Sequence, residues 1–283
     1  MKIVIQSHHH HFLVVLLSLL SLSSVSASSS PSPFTTTSTS NNMSGSTNQH
    51  TTRPIVTGTS VVGLKYDGGV LLAADCLLSY GSMAKSFDAR RLHTVANGSI
   101  LLGASGEYSD YQELVQKVEA LALEVSTTTS MESIYDEKPL PAKHLWNYLR
   151  AVLYQRRSKF NPFWNDLVVA GMNDDGKTPF LGVVDKIGTT LEENLVATGF
   201  GGYLAMPLLR EQWRPDLTEG EARALLEDCM KVLFFRDCRA SCRIQLAKVT
   251  ADGGCVISEP YELDHGAGWT QPSMERPVFD LAP

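Results

Sequence analysis

Cys238 and Cys242 stand four residues apart, a spacing at which two thiolates could share a metal ion. No histidine or further cysteine pair completes a tetrahedral set with them, so no metal site is expected. Cys76, Cys229 and Cys255 bring the cysteines to five, an odd number without framework spacing. Reduced thiols of a cytosolic protein account for them more simply than disulfides do. Gly199-Phe200-Gly201-Gly202 is too short and wrongly placed to cradle phosphate. Thr59 and Ser60 carry hydroxyls, but they lie in a Val- and Thr-rich stretch where β propensity alone explains them. Asp75 ends an apolar run, where a carboxylate can cap the backbone at a strand end. His144 reads as a satisfied histidine, Trp146, Trp164 and Trp213 as packing, and Arg156-Arg157 as a solvated helix face or an assembly contact.

The elements that must position these residues begin late. Residues 21–49 are dominated by Ser, Thr and Asn and cannot bury enough apolar surface to order. Phe12 to Leu20 is an apolar run behind Lys2 and a His cluster, and Val25-Ser26-Ala27 further on ends in small residues. Residues 1–27 therefore look like a secretory signal, although the run is too short to span a membrane. A removable leader or an upstream start codon is the competing explanation. The expected organisation is a leader over 1–50, a folded domain over 51–260 and an extended polar tail over 261–283. Across 283 residues, 43% are hydrophobic and the net charge is −6 without any block of like charge. That supplies a sizeable core and offers nothing to nucleic acid or an anionic membrane.

From Thr57 to Tyr66 the composition predicts one strand, and Asp67-Gly68-Gly69 turns it into an apolar strand, Val70 to Asp75, buried on both faces. A second hairpin around Asn97-Gly98 is assigned to the same sheet. Tyr111, Leu114, Val115, Val118, Leu121, Ala122 and Val125 mark a helix capped by Ser109. A polar loop, 126–141, separates it from a second helix that Asn161-Pro162 ends. Strands return at Asp166–Met172, Pro179–Asp185 and Leu195–Thr198. Helices follow over Tyr203–Gln212 and Thr218–Phe235, the latter behind a capping box, and strands close the chain at Ile244–Thr250 and Cys255–Ser258. Runs of strands and runs of helices predict an α+β fold: two antiparallel sheets covered by helices, a four-layer αββα sandwich.

Gly58-Thr59-Ser60-Val61, Lys65-Tyr66-Asp67-Gly68-Gly69-Val70, Ala73-Ala74-Asp75, Tyr80-Gly81-Ser82, Ala104-Ser105-Gly106 with Asp110, and Phe235-Arg236-Asp237 resemble, in order and spacing, the beta subunits of the proteasome. Thr51 to Ser60, Arg156 to Pro162 with Trp164-Asn165, and Pro207 to Glu211 resemble a non-catalytic branch of that family, at the seventh position of the beta ring. The resemblance implies the N-terminal-nucleophile fold, which agrees with the sandwich above.

In active members of that family, removal of a leader frees the α-amine of a threonine. Its hydroxyl then attacks a peptide carbonyl with the amine as base. By resemblance Thr59 is the nucleophile position, Asp75 the supporting aspartate, Gly106 the oxyanion glycine and Asp237 the late aspartate. The lysine position holds Arg91, whose planar fork does not replace a compact ammonium. The serine of a Gly-Ser-Gly run is replaced by Phe200, whose ring is expected to crowd the site. A further serine position falls on Ala240, with Ser241 adjacent. Leader removal near His50 and Thr51 would leave Thr59 with eight residues ahead of it and no free amine. The resemblance thus implies an inactive structural subunit, without cofactor or metal. Its partners would be other proteasome alpha and beta subunits in stacked heptameric rings of cytoplasm and nucleus, not nucleic acid or membrane.

Overall fold

The computed structural model describes residues 53–132, 140–173, 175–250 and 254–263. The chain divides into two units, Met1–His50 and Thr51–Pro283, and all described residues belong to the second. The signal-like segment and the His50–Thr51 cleavage site lie outside the described residues.

Among the described residues, one sheet has eight strands: β1 (Val56–Gly58), β4 (Leu78–Tyr80), β5 (Met83–Ser86), β6 (Leu92–Val95), β7 (Ile100–Glu107), β8 (Asn165–Met172), β9 (Pro179–Val184) and β10 (Thr190–Glu192). The other has six: β2 (Val61–Tyr66), β3 (Gly69–Asp75), β11 (Leu195–Ala197), β12 (Arg243–Thr250), β13 (Gly254–Ile257) and β14 (Tyr261–Glu262). Every strand pairing among the described residues is antiparallel. Helices α1 (Tyr108–Glu132) and α2 (Ala142–Ser158) pack on the eight-stranded sheet. Helices α3 (Gly201–Leu204), α4 (Met206–Gln212) and α5 (Glu219–Arg236) pack on the six-stranded one. This is the expected αββα sandwich.

Period-2 alternation along β3 serves a core on each of its faces. Along β3, Val70, Leu72 and Ala74 face the opposite sheet and meet Leu101, Val168 and Leu181, while Leu71 and Ala73 face the helices and meet Leu225, Leu226 and Leu233. All seven residues of β3 are buried, which is why the strand reads as apolar up to Asp75. The capping box is present at α5, where Thr218 and Glu221 bond each other's backbone.

Several expectations need correction. Thr57 to Tyr66 is two strands in different sheets, and Thr59 and Ser60 occupy the crossing between them rather than a strand. The two hairpins likewise lie in different sheets. Helix α1 begins at Tyr108 and runs through Glu132, so the loop assigned from Ser126 is helical in its first part. Ser109 is not its cap; its hydroxyl donates to Glu107. The tail begins within the sheet, because Tyr261–Glu262 pairs with β12 and Leu263 is buried, so the domain runs past residue 260.

The end of α2 is a Schellman motif. The Asn161 N–H donates to the Arg156 carbonyl and the Phe160 N–H to the Arg157 carbonyl, at 3.1 Å each. Phe160 fills the left-handed position, φ 55°, that glycine normally takes, at a cost of about 1 kcal/mol.

Candidate functional site

Five elements meet at Thr59. Strand β1 delivers the chain from the eight-stranded sheet, and β2 carries it into the six-stranded one. The end of β3 brings Asp75, the start of β6 brings Arg91, and the turn after α5 brings Asp237.

Arg91 is the centre of the arrangement. It is only 2% exposed, and all five of its N–H donors are used. Nε donates to the Asp75 carbonyl at 3.1 Å; one terminal nitrogen donates to the carbonyls of Thr59 at 2.8 Å and Ala104 at 3.1 Å. The other donates to the Ser60 carbonyl at 3.1 Å and to the Asp75 carboxylate. The guanidinium thus holds both carbonyls of the inter-sheet crossing and ties them to β3 and β7. Gly58 has a reason here that is independent of any cleavage: a side chain on it would overlap the Cδ of Arg91.

Asp75 is buried beneath this fork. Burial raises its carboxyl pKa above the ordinary range; the charge of Arg91 and the N–H groups of Ser241 and Leu77 offset part of that rise. The same burial, reinforced by the charge of Asp75, pushes the neighbouring Cys76 thiol up to about 11.

The Thr59 hydroxyl donates to the Asp237 carboxylate, whose other oxygen accepts the Arg239 N–H at 3.0 Å. Ser60 is fully buried and its hydroxyl accepts the Gly201 N–H at 2.8 Å. Thr198 accepts the Val61 N–H at 2.8 Å. The structure therefore brings together Thr59, Asp75, Arg91 and Asp237 directly. Gly106 lies opposite Gly58 in the β1–β7 register, with φ 95° and the Trp164 carbonyl where a side chain would sit. The chain's own β1 thus runs past the glycine that was assigned to the oxyanion.

Two assigned residues stand apart. Phe200 precedes α3 and is 58% exposed, so its ring is not buried in the site as expected. Ala240 packs at the edge of the helix-side core, and the serine that reaches Asp75 is Ser241, through its backbone.

Sequence reasoning missed Glu107. It is buried at the end of β7, and its carboxylate accepts the N–H groups of Ile55 and, at 3.0 Å, Val56. An acid closing an otherwise apolar strand was the available signal. Asn165 was missed as a tie: its amide donates to the Ser105 carbonyl at 3.1 Å and the Glu107 carbonyl at 2.8 Å. Between them these residues fix β1 from one side while its pairing with β4 fixes it from the other.

A two-sheet sandwich with a threonine at the sheet crossing defines the class, and the sequence comparison agrees. The family profile described as proteasome subunit matches residues 55–249, and the chain belongs to that family. Within it, the chain is similar to Proteasome subunit beta type-4 of Arabidopsis thaliana, 43% identical over 236 residues that cover 83% of this chain and 91% of that protein. It is 45% identical to Proteasome subunit beta type-4 of Xenopus laevis over 224 residues, 77% of this chain and 89% of the other. Against Proteasome subunit beta type-7 of Saccharomyces cerevisiae it is 36% identical over 229 residues, covering 79% and 85%.

Proposed function

We propose that this chain is a structural beta subunit of the proteasome core particle and that it has no peptidase activity of its own. One observation carries the reading: every donor of Arg91 is spent on Asp75 and on backbone carbonyls around Thr59, where catalysis would need a titratable amine. Guanidinium stays protonated and cannot take a proton from a hydroxyl. Strand β1 supports the same reading. It is bonded to β7 on one side and β4 on the other, so the three residues ahead of Thr59 are part of the sheet, and keeping them leaves Thr59 without a free amine. A carboxylate beside the hydroxyl, without an amine, is a weak base for it.

The chain's work is then to complete a beta ring alongside other alpha and beta subunits, in cytoplasm and nucleus, with the first fifty residues removed as a leader. The test is Thr59→Ala in a particle that carries it as the sole copy. All peptidase activities and the particle yield should match the parent. Loss of any one activity, with normal yield, would contradict the assignment.

A further inference from the structure

Helix α2 contains Lys143, Arg150, Arg156 and Arg157 and not one acidic residue. Lys143, near its start, pairs with Glu192 at 3.1 Å, as exposed cations elsewhere, such as Lys117, Arg223, Lys231 and Lys248, pair with neighbouring carboxylates. Among the described residues, no carboxylate pairs with Arg150, Arg157 or Lys159. Arg150, Tyr154 and Arg157 recur at i, i+4 and i+7, which puts them in one row. With Ile187, Gly188 and Thr189 of the turn before β10 they line a groove of about 300 Å³. The Arg157 guanidinium lies 5.5 Å from the Tyr154 ring, a stacked position that holds the fork in place at little further entropic loss.

Three residues beyond Arg157, Phe160 is 90% exposed and sits in the left-handed position of the Schellman motif. Glycine would relieve the backbone there and remove a large apolar group from water. A residue that is unfavourable on both counts contributes nothing to this subunit's own fold, so its contribution lies in a contact made outside the chain.

We propose that the C-terminal half of α2, from Arg150 to Phe160, docks an acidic segment of a neighbouring proteasome subunit. Carboxylates of that segment take the forks of Arg150 and Arg157, and an apolar socket beside them takes Phe160. An acidic partner follows from the charge: Arg150 and Arg157, which no described carboxylate pairs with, repel a basic segment and are left unneutralised by a neutral one. The inference rests on the reading of the chain as an assembling subunit.

The test uses the full chain as the sole copy in cells, with two readouts: the fraction that co-migrates with the core particle, and the protease resistance of the unassembled fraction. Arg150→Glu with Arg157→Glu should lower incorporation roughly tenfold. Phe160→Gly should lower incorporation while leaving protease resistance equal or higher, a combination that a merely structural phenylalanine cannot give. A photoreactive phenylalanine analogue at 160 should cross-link to an Asp- or Glu-rich stretch of another subunit. Normal incorporation of both variants, lost resistance in Phe160→Gly, or a cross-link to a second copy of this chain or to a segment without acids would overturn the proposal. If the unaltered chain fails to enter the particle while folding normally, the assembly reading itself falls, and this inference with it.

Discussion

Arg91 joins a buried charge to three backbone segments, so its replacement should be costly in a specific way. Arg91→Met leaves the Asp75 carboxylate buried and uncompensated, and a loss of about 3–5 kcal/mol in urea unfolding of the subunit is expected. Arg91→Lys restores a charge but has three donors for five acceptors, so it should recover only part of that loss. Gly58→Ala forces a methyl group against the arginine stem and should cost about 1–3 kcal/mol in the same measurement. The residue types were legible in the sequence: Asp75, Arg91 and Asp237 do converge on Thr59. What Arg91 does with its donors was not, because its acceptors are main-chain carbonyls, which no side-chain pattern records. Phe200 was misjudged for a related reason. Its position in the chain is close to the site, but which way a ring points depends on the φ and ψ of the glycines around it.

Among the elements, β1 has the largest consequences. It lies inside the eight-stranded sheet, between β7 and β4, so a chain that began at Thr59 would lose the strand that joins the β4–β5 hairpin to the rest. Such a shortened chain should therefore unfold at lower temperature than one beginning at Thr51, and limited proteolysis should cut it first within β4–β5. Equal stability of the two would contradict the role given to β1. At α5, Thr218→Ala removes both the accepting side chain and its partner for Glu221, and about 0.5–2 kcal/mol should be lost. That cap was readable because it is local. The break at Thr59 was not, since Thr57 to Tyr66 has one composition throughout. The bonds that split it come from residues 32 and 141 positions away, Arg91 to Thr59 and Gly201 to Ser60. Strands β4, β5 and β10 escaped for want of length: three or four residues carry no usable period.

For the whole molecule, the sandwich was legible because hairpins and amphipathic helices are local and their order restricts the layers they can form. Its interior also sets how the protein meets alkali. Burial pushes the thiol of Cys76 up to about 11 and those of Cys229 and Cys255 up to about 12. An unfolded thiol titrates near about 8.5, so above that pH the native state holds more protons than the unfolded one. Stability should be intact below about pH 8.5 and fall progressively as pH rises toward those values. Thiol labelling of the native protein should modify exposed Cys238 first and Cys76 and Cys229 last. The tail offers a further prediction. Truncation after Leu263 spares the buried residue that closes β14 and should leave the fold intact while particle assembly falls; unchanged assembly would remove the tail from the interface.

The central claim is that Thr59 is a held structural residue and not a nucleophile. Its most direct test is the N-terminus of the mature chain in purified particles, read by mass spectrometry after exposure to an electrophilic threonine probe. The expected result is a chain that begins several residues before Thr59 and carries no adduct there. A chain that begins at Thr59 and bears the probe on that residue would contradict the claim.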